Sequence, residues 1–240
     1  MADLVVIVPS RGRPEAVEPL ILAFQSTCTA DTKLVFAVDD DDPRESDYWT
    51  ATKPIWPGIL PAGSRSMVES LNQAATKLTT PGDHHKFGGR PWRAPFAVGF
   101  MGDDHLPRTH GWDQAYLDAL LELGTGIVYG DDLLQRRNLP TQCAMTADIV
   151  RALGYMAPPA LTHLYVDDFW RDLGLAAECL RYLPDVVVEH RHPLAGKAEW
   201  DEGYKRVNDA GMYSADAEAY GLYRRERFEA DVAKVRALRG

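Results

Sequence analysis

The run Leu4-Val5-Val6-Ile7-Val8 constrains this chain more than any other feature. Its apolar residues are consecutive and mostly β-branched, with no polar residue in alternation, so the strand they form has no face to give to solvent. Such a strand belongs at the centre of a parallel sheet covered on both sides. It stops at Pro9, and Ser10-Arg11-Gly12-Arg13 reads as a loop. Pro14 fits a first helical turn, and Val17, Leu20, Ile21 and Phe24 give the following helix an apolar face. Lys33 to Val38 supplies the next strand and runs into Asp39-Asp40-Asp41-Asp42-Pro43.

The alternation continues along the chain. A helix follows the Gly63-Ser64-Arg65-Ser66 turn, with Met67, Leu71, Ala74, Ala75 and Leu78 on one side. Residues 96–101 form a short buried strand before Gly102, and a helix runs from Trp112 to about Leu123, with Trp112 and Tyr116 on its core side. Gly126 to Tyr129 is a strand that again ends in acids, Asp131 and Asp132, which either border the substrate or cap a turn. Val186-Val187-Val188 is a late strand, and Ser214 to Leu238 reads as one charged terminal helix. Thr79 to Pro95 carries three Pro and three Gly and reads as a loop, as does Pro54 to Gly63. The expected fold is α/β, with a mixed, mostly parallel sheet flanked by helices. At 240 residues the chain can bury one sizeable core. The main domain is expected over 1–212, with a C-terminal helical extension over 213–240 packed on it or extending from it.

Net charge is 26 − 35 = −9, so no global positive field draws the chain to nucleic acid or membrane. Arg90, Arg93, Arg136 and Arg137 are the local basic candidates, with solvated loop charge as their plain alternative. No run approaches the ~20 apolar residues of a membrane span. Cys28, Cys143 and Cys179 lack metal spacing and read as reduced thiols of a cytoplasmic protein.

The chemistry concentrates where strands end. Asp103-Asp104-His105 follows Gly102 at a strand tip, and two carboxylates with an imidazole suit a hard or borderline divalent ion holding a phosphate. Ligands of open α/β sheets bind outside the carboxyl ends of the strands, so position and chemistry agree; a solvated turn cap is the alternative. Glu189-His190-Arg191-His192 closes the late strand, and residues two apart point the same way, which lets His190 and His192 face one site. Asp167-Asp168 stands ahead of Phe169-Trp170, either as reacting carboxylates or as acids complementing a helix dipole. Gly196-Lys197 lacks the glycine pattern of a phosphate loop.

In this order the motifs resemble family 2-type glycosyltransferases with the GT-A (Rossmann-like) fold, over roughly residues 4–192. Val6 to Pro14 resembles the family's first strand and base-binding turn, Val38-Asp39-Asp40 the acidic end of its second strand, Asp103-Asp104-His105 its metal-binding Asp-X-Asp motif, and Asp167-Asp168 its Glu-Asp pair. Met145 to Gly154 and Tyr165 resemble its acceptor-side helix and glycine turn. The chain departs from the family at Gly102, where many relatives have the first acid. The resemblance implies that Pro9, Ser10, Arg11, Arg13, Asp39, Arg65, Asp103 and Lys197 contact the nucleotide sugar. It implies that Asp104 is the main ligand of Mn2+ or Mg2+, completed by His192, with His190 close behind and His105 a further candidate. Asp168 would be the catalytic base, with Asp167 beside it. The activity implied is metal-dependent, inverting transfer of a sugar from a nucleotide diphosphosugar, a UDP-sugar favoured, to an acceptor hydroxyl. Small bacteriophage and actinobacterial proteins show a similar arrangement, and some phage members glycosylate hydroxymethylated DNA bases, which puts modified DNA among the implied acceptors and a host cytoplasm among the implied locations. A sugar nucleotidyltransferase and a non-catalytic nucleotide-sugar-binding module are the alternatives.

Overall fold

The computed structural model describes residues 3–52, 58–62, 66–80, 86–87, 90–91, 93–193, 196–197 and 209–240. In chain order the elements are β1 (Leu4–Ser10), α1 (Val17–Thr27), β2 (Thr32–Asp39), α2 (Glu45–Thr52), β3 (Gly58–Ala62), α3 (Met67–Thr79), the short ribbon β4 (Lys86–Phe87) and β5 (Arg90–Pro91), β6 (Ala97–Phe100), β7 (His105–Pro107) and α4 (Trp112–Leu123). The second half adds β8 (Ile127–Asp131), β9 (Cys143–Thr146), α5 (Ala147–Leu153), α6 (Val166–Ala176), β10 (Leu180–His190), α7 (Ala210–Glu226) and α8 (Phe228–Leu238).

The main sheet has eight strands in the order β3-β2-β1-β6-β9-β8-β10-β7. β1 pairs in parallel with both β2 and β6, and β8 pairs in parallel with β10; β9 runs antiparallel between β6 and β8, and β7 antiparallel beside β10. Strands β1, β2, β3, β6, β8 and β10 therefore point one way, and their carboxyl ends share one edge of the sheet. As its apolar run requires, β1 is covered on both faces: Val5 and Ile7 join a core built with α3, α5 and α6, while Leu4, Val6 and Val8 join one built with α1 and α4. Trp112 and Trp170 are fully buried, one in each core. Each indole N–H is satisfied, by Thr27 Oγ1 at 3.1 Å and by the Met156 carbonyl at 2.8 Å.

Three elements differ from the sequence expectation. Gly58–Ala62, inside the Pro-rich stretch, is an edge strand parallel to β2, with Pro61 opposite Val38; an edge position tolerates proline because one side of the strand needs no donor. The late strand spans Leu180–His190 rather than three valines, with a register shift between Leu183 and Val187 where Pro184 interrupts the ladder. The terminal segment is two helices that break at Arg227, where neither Gly nor Pro marks the boundary. The break is set by burial: Tyr220 and Tyr223 on one side and Phe228, Val232 and Val235 on the other all enter the α3–α5–α6 core. The C-terminal helices are thus part of the main core. α2 carries one fully buried side chain, Tyr48, too little periodicity to announce a helix.

Candidate active site

A cleft of about 600 Å³ opens along the shared edge of the sheet. Register brings its parts together. Ile7 pairs with Phe100 and Ser10 with Val38, so the ends of β1, β2 and β6 lie side by side with Ser10, Asp39 and Asp103-Asp104 at their tips.

On the side of β1 the charged groups are already engaged. Ser10 Oγ donates to Asp103 Oδ2 at 2.6 Å and Arg13 Nη1 to Asp103 Oδ1 at 3.1 Å. Tyr48 OH lies 2.8 Å from Ser10 Oγ and accepts the Arg13 N–H at 2.8 Å. Burial and the neighbouring Asp104 charge push the Asp103 carboxyl up, against the pull of Arg13 and Ser10. Arg11 spans Asp39, at 3.0 Å, and Asp41, while Asp39 Oδ1 accepts from Ser70 Oγ of α3 at 2.7 Å. Of the acidic run that ends β2, Asp39 and Asp41 line the cleft, and Asp42 is a buried turn cap that accepts the N–H groups of Gly12 and Arg44.

Asp104 sits between two imidazoles. Its Oδ1 is 3.0 Å from His105 Nδ1 and its Oδ2 is 3.2 Å from His190 Nε2. The antiparallel β7–β10 pairing sets His105 opposite His190, and the rings stack with centroids 4.1 Å apart. His192 stands edge-on to His190 at 5.1 Å and also lines the cleft. Burial works against ionisation of Asp104, but hydrogen bonds and charge from His105 and His190 outweigh it and hold its carboxyl well below the usual range. Burial, and then the charge of His190, lower the pKa of both His105 and His192, which favours the neutral imidazole that binds metals.

This group fits a divalent cation. Ligand atoms of Asp104, His105 and His190 lie within 4.8 Å of one another, and an oxygen-plus-imidazole set suits a borderline divalent ion. Among the described residues, His190 Nδ1 is the buried side-chain polar atom left without a hydrogen-bond partner. His105, at 3.0 Å, and His190, at 3.2 Å, both approach Asp104, and His192, favoured by the resemblance, lines the same cleft. It also accounts for Gly102: a Cβ there would meet Asp104 Oδ1 at 2.6 Å and His105 Nδ1 at 2.9 Å, so a side chain at this position would displace both groups.

The opposite wall is the start of α6. Asp167 lines the cleft, whereas Asp168 lies beside it and accepts from Arg171 at 2.7 Å. Burial first, and then the charge of Asp168, raise the Asp167 carboxyl to about 6. Tyr165, just before the helix, holds φ +65°, a backbone region that bulky residues rarely adopt, and its ring stacks on Tyr220 of α7. Asp216, also on α7, accepts the N–H groups of Thr162, His163 and Leu164 at 2.9, 2.8 and 2.7 Å and so holds the segment that carries this wall.

Other residues take different places. Lys197 pairs with Glu189 at 2.7 Å, and Arg108 with the same carboxylate at 2.6 Å; neither cation lines the cleft. Arg65 lies outside the described residues, as does the side chain of Arg90. Arg136 and Arg137 are exposed and away from the cleft, with Arg137 over the Tyr182 ring at 4.8 Å. Tyr48 and Asp216 escaped the sequence reading, which named Tyr165 only within the acceptor-side resemblance and left Asp132 between a substrate neighbour and a turn cap. For Asp216 the available signal was an acid in a segment with buried neighbours, which does not single it out.

No protein-family model and no curated protein matches the chain. Solved structures do. A mannosyltransferase of Pyrobaculum calidifontis in complex with GDP-Man and Mn2+ superposes with a TM-score of 0.61 at 12% identity, covering 98% of this chain and 73% of that one. Glucosyl-3-phosphoglycerate synthase of Mycobacterium tuberculosis, in complex with Mn2+, UDP and its product, gives 0.53 at 15% identity, covering 89% and 80%. TarS of S. aureus gives 0.57 at 12% identity, covering 88% of this chain and 43% of TarS. The chain therefore has the GT-A fold of nucleotide-diphospho-sugar glycosyltransferases, with C-terminal helices. No described helix is long and apolar enough to cross a membrane.

Proposed function

We propose that this protein is a divalent-metal-dependent glycosyltransferase that moves a sugar from a nucleotide diphosphosugar, a UDP-sugar favoured, to an acceptor hydroxyl. The observation that carries this reading is the Asp104–His105–His190 cluster facing Asp167 across one cleft at the carboxyl ends of the strands. Asp104 and His190, with His105 or His192 completing the set, would hold Mn2+ or Mg2+. Bound there, the ion supplies Lewis-acid stabilisation of the charge that grows on the departing diphosphate.

The protein's own groups supply the rest. Ser70 and Asp39 offer hydrogen bonds to a base and ribose, and Arg11 and Arg13 offer guanidinium charge beside them. Asp103 fixes Ser10 and Arg13 rather than the ion. The acceptor oxygen attacks the anomeric carbon as the carbon–oxygen bond to the diphosphate breaks. The acceptor proton passes to a carboxylate of the Asp167-Asp168 pair, and the nucleoside diphosphate leaves as an anion. Asp167 lines the cleft and has a carboxyl near neutrality, which suits a general base. Asp168, expected from the resemblance, stands beside it on Arg171. A single displacement of this kind inverts the anomeric centre. A hydroxymethylated DNA base is the acceptor suggested by the resemblance to phage proteins; the net charge of −9 weighs against tight duplex binding.

The test is Mn2+-dependent binding and slow hydrolysis of a panel of nucleotide diphosphosugars. Hydrolysis of one donor to nucleoside diphosphate is expected, lost in Asp104→Ala, and lost in Asp167→Asn with donor binding retained. Loss in Asp168→Asn alone would move the base to Asp168. Pyrophosphate released from a nucleoside triphosphate and sugar phosphate would support a nucleotidyltransferase instead, and donor binding without turnover on any acceptor a binding module. No binding of any donor with or without metal would overturn the reading.

A further inference from the structure

We infer that Asp132 is a positioning residue for the histidines of the metal cluster, an inference that rests on the metal reading above. Asp132 follows β8 and is 1% exposed. Its two carboxylate oxygens have separate surroundings. Oδ1 accepts the N–H groups of Leu134, Gln135 and Arg136 at 2.9, 2.7 and 2.7 Å, an ordinary turn cap. Oδ2 faces the other way, towards the cluster. It accepts from Thr141 Oγ1 at 2.7 Å, and that hydroxyl lies 3.5 Å from His105 Nε2. It also lies 3.9 Å from His190 Nδ1, the buried nitrogen that lacks a hydrogen-bond partner. One backbone hydrogen bond, from His190 N–H to the Asp132 carbonyl at 3.0 Å, ties the two segments together.

A turn cap needs only Oδ1. What Oδ2 adds is an acceptor on the far side of His190 from Asp104. Negative charge there favours the tautomer that carries its proton on Nδ1. In the metal-free protein Asp104 Oδ2, 3.2 Å from Nε2, competes for that proton; once Nε2 gives it up, Nδ1 carries one towards Asp132 and Nε2 has a lone pair for a cation. The second nitrogen of a metal-binding histidine is commonly oriented by a carboxylate in this way. The same oxygen holds Thr141 against His105, so one buried carboxylate backs both stacked rings.

Asp132→Asn separates the two roles. The amide oxygen can still cap the turn, but an NH2 group replaces Oδ2 and offers a donor to Nδ1, which puts the His190 proton on Nε2 and removes the ligand. Two measurements are made on metal-free protein at about pH 8, above the ordinary imidazole range. Nitrogen-15 NMR of the histidine side chains, in an Asp104→Ala background that removes the competing acceptor at Nε2, is expected to show His190 as the Nδ1–H tautomer, and as Nε2–H when Asp132→Asn is added. Calorimetric titration with Mn2+ alone is expected to show affinity roughly 10–100-fold weaker in the variant, with the thermal midpoint held near wild type. A His190 that carries its proton on Nε2 in Asp104→Ala overturns the inference, as does unchanged Mn2+ affinity in a folded Asp132→Asn. If the wild type itself binds no Mn2+, the metal reading fails, and the NMR result still decides whether Asp132 sets the tautomer.

Discussion

Asp113 is fully buried and the Asp104 side chain is only 16% exposed, yet the surroundings of the two carboxylates differ in kind. Asp113, at the start of α4, accepts from Thr29 N–H, Ala30 N–H and Thr32 Oγ1 at 2.9, 3.0 and 2.7 Å. Asp216 is met in the same manner by three backbone N–H groups, and Asp231 by Tyr155, Tyr223 and Lys234. Fixed donors of this sort leave a carboxylate nothing further to do than hold the chain. Asp104 has imidazoles where the others have amides and hydroxyls. An imidazole nitrogen can surrender its proton and turn its lone pair to a cation, so the contacts are convertible there and permanent elsewhere. Burial alone therefore does not mark a site; the chemistry of the groups that satisfy the buried charge does.

The most severe test of this contrast is Asp104→Ala, which is expected to abolish Mn2+ binding and donor hydrolysis while the protein stays folded by circular dichroism. Global unfolding instead would place Asp104 with the structural acids. Next comes Asp167→Asn, with turnover lower by ~10²–10⁴-fold and donor affinity by titration unchanged. Asp113→Ala strands three buried donors and should cost about 3 kcal/mol in chemical denaturation, with donor affinity of the folded fraction intact. The smallest effect concerns pH. Asp167 must be ionised to take a proton, and its carboxyl is raised to about 6, so hydrolysis should rise with pH through that value and level off above it. Asp168→Asn removes the like charge that contributes to the rise, and the acidic limb of the rate profile should move to lower pH by less than about one unit.

How far the site was legible in the sequence depended on whether its parts were local. Asp103-Asp104-His105 and Asp167-Asp168 could be found because each is a contiguous group at the edge of an apolar run, and strand ends are where such sheets bind ligands. Their division of labour was not legible. Whether Asp103 turns to Ser10 and Arg13, or Asp104 to the histidines, depends on side-chain directions that adjacent residues do not announce. Tyr48 was invisible because it and Trp49 sit in a short, mostly polar helix with no apolar periodicity, and Asp216 because its partners lie more than fifty positions away in the chain. The break at Arg227 was missed because helical propensity continues through it and only packing of the two helices against the core opposes it.

Hydrophobic pattern is a property of consecutive residues. On its own it determined a central strand buried on both faces, the alternation with helices, and hence the mostly parallel sheet whose carboxyl edge carries the acids. The tertiary structure alone decided which of those acids touch one another. The β7–β10 pairing sets His105 against His190, Asp132 comes up behind both from β8, and the C-terminal helices hold the wall that carries Asp167. Those contacts join segments far apart in the chain, and register and packing, to which no local pattern is sensitive, bring them within a few ångströms.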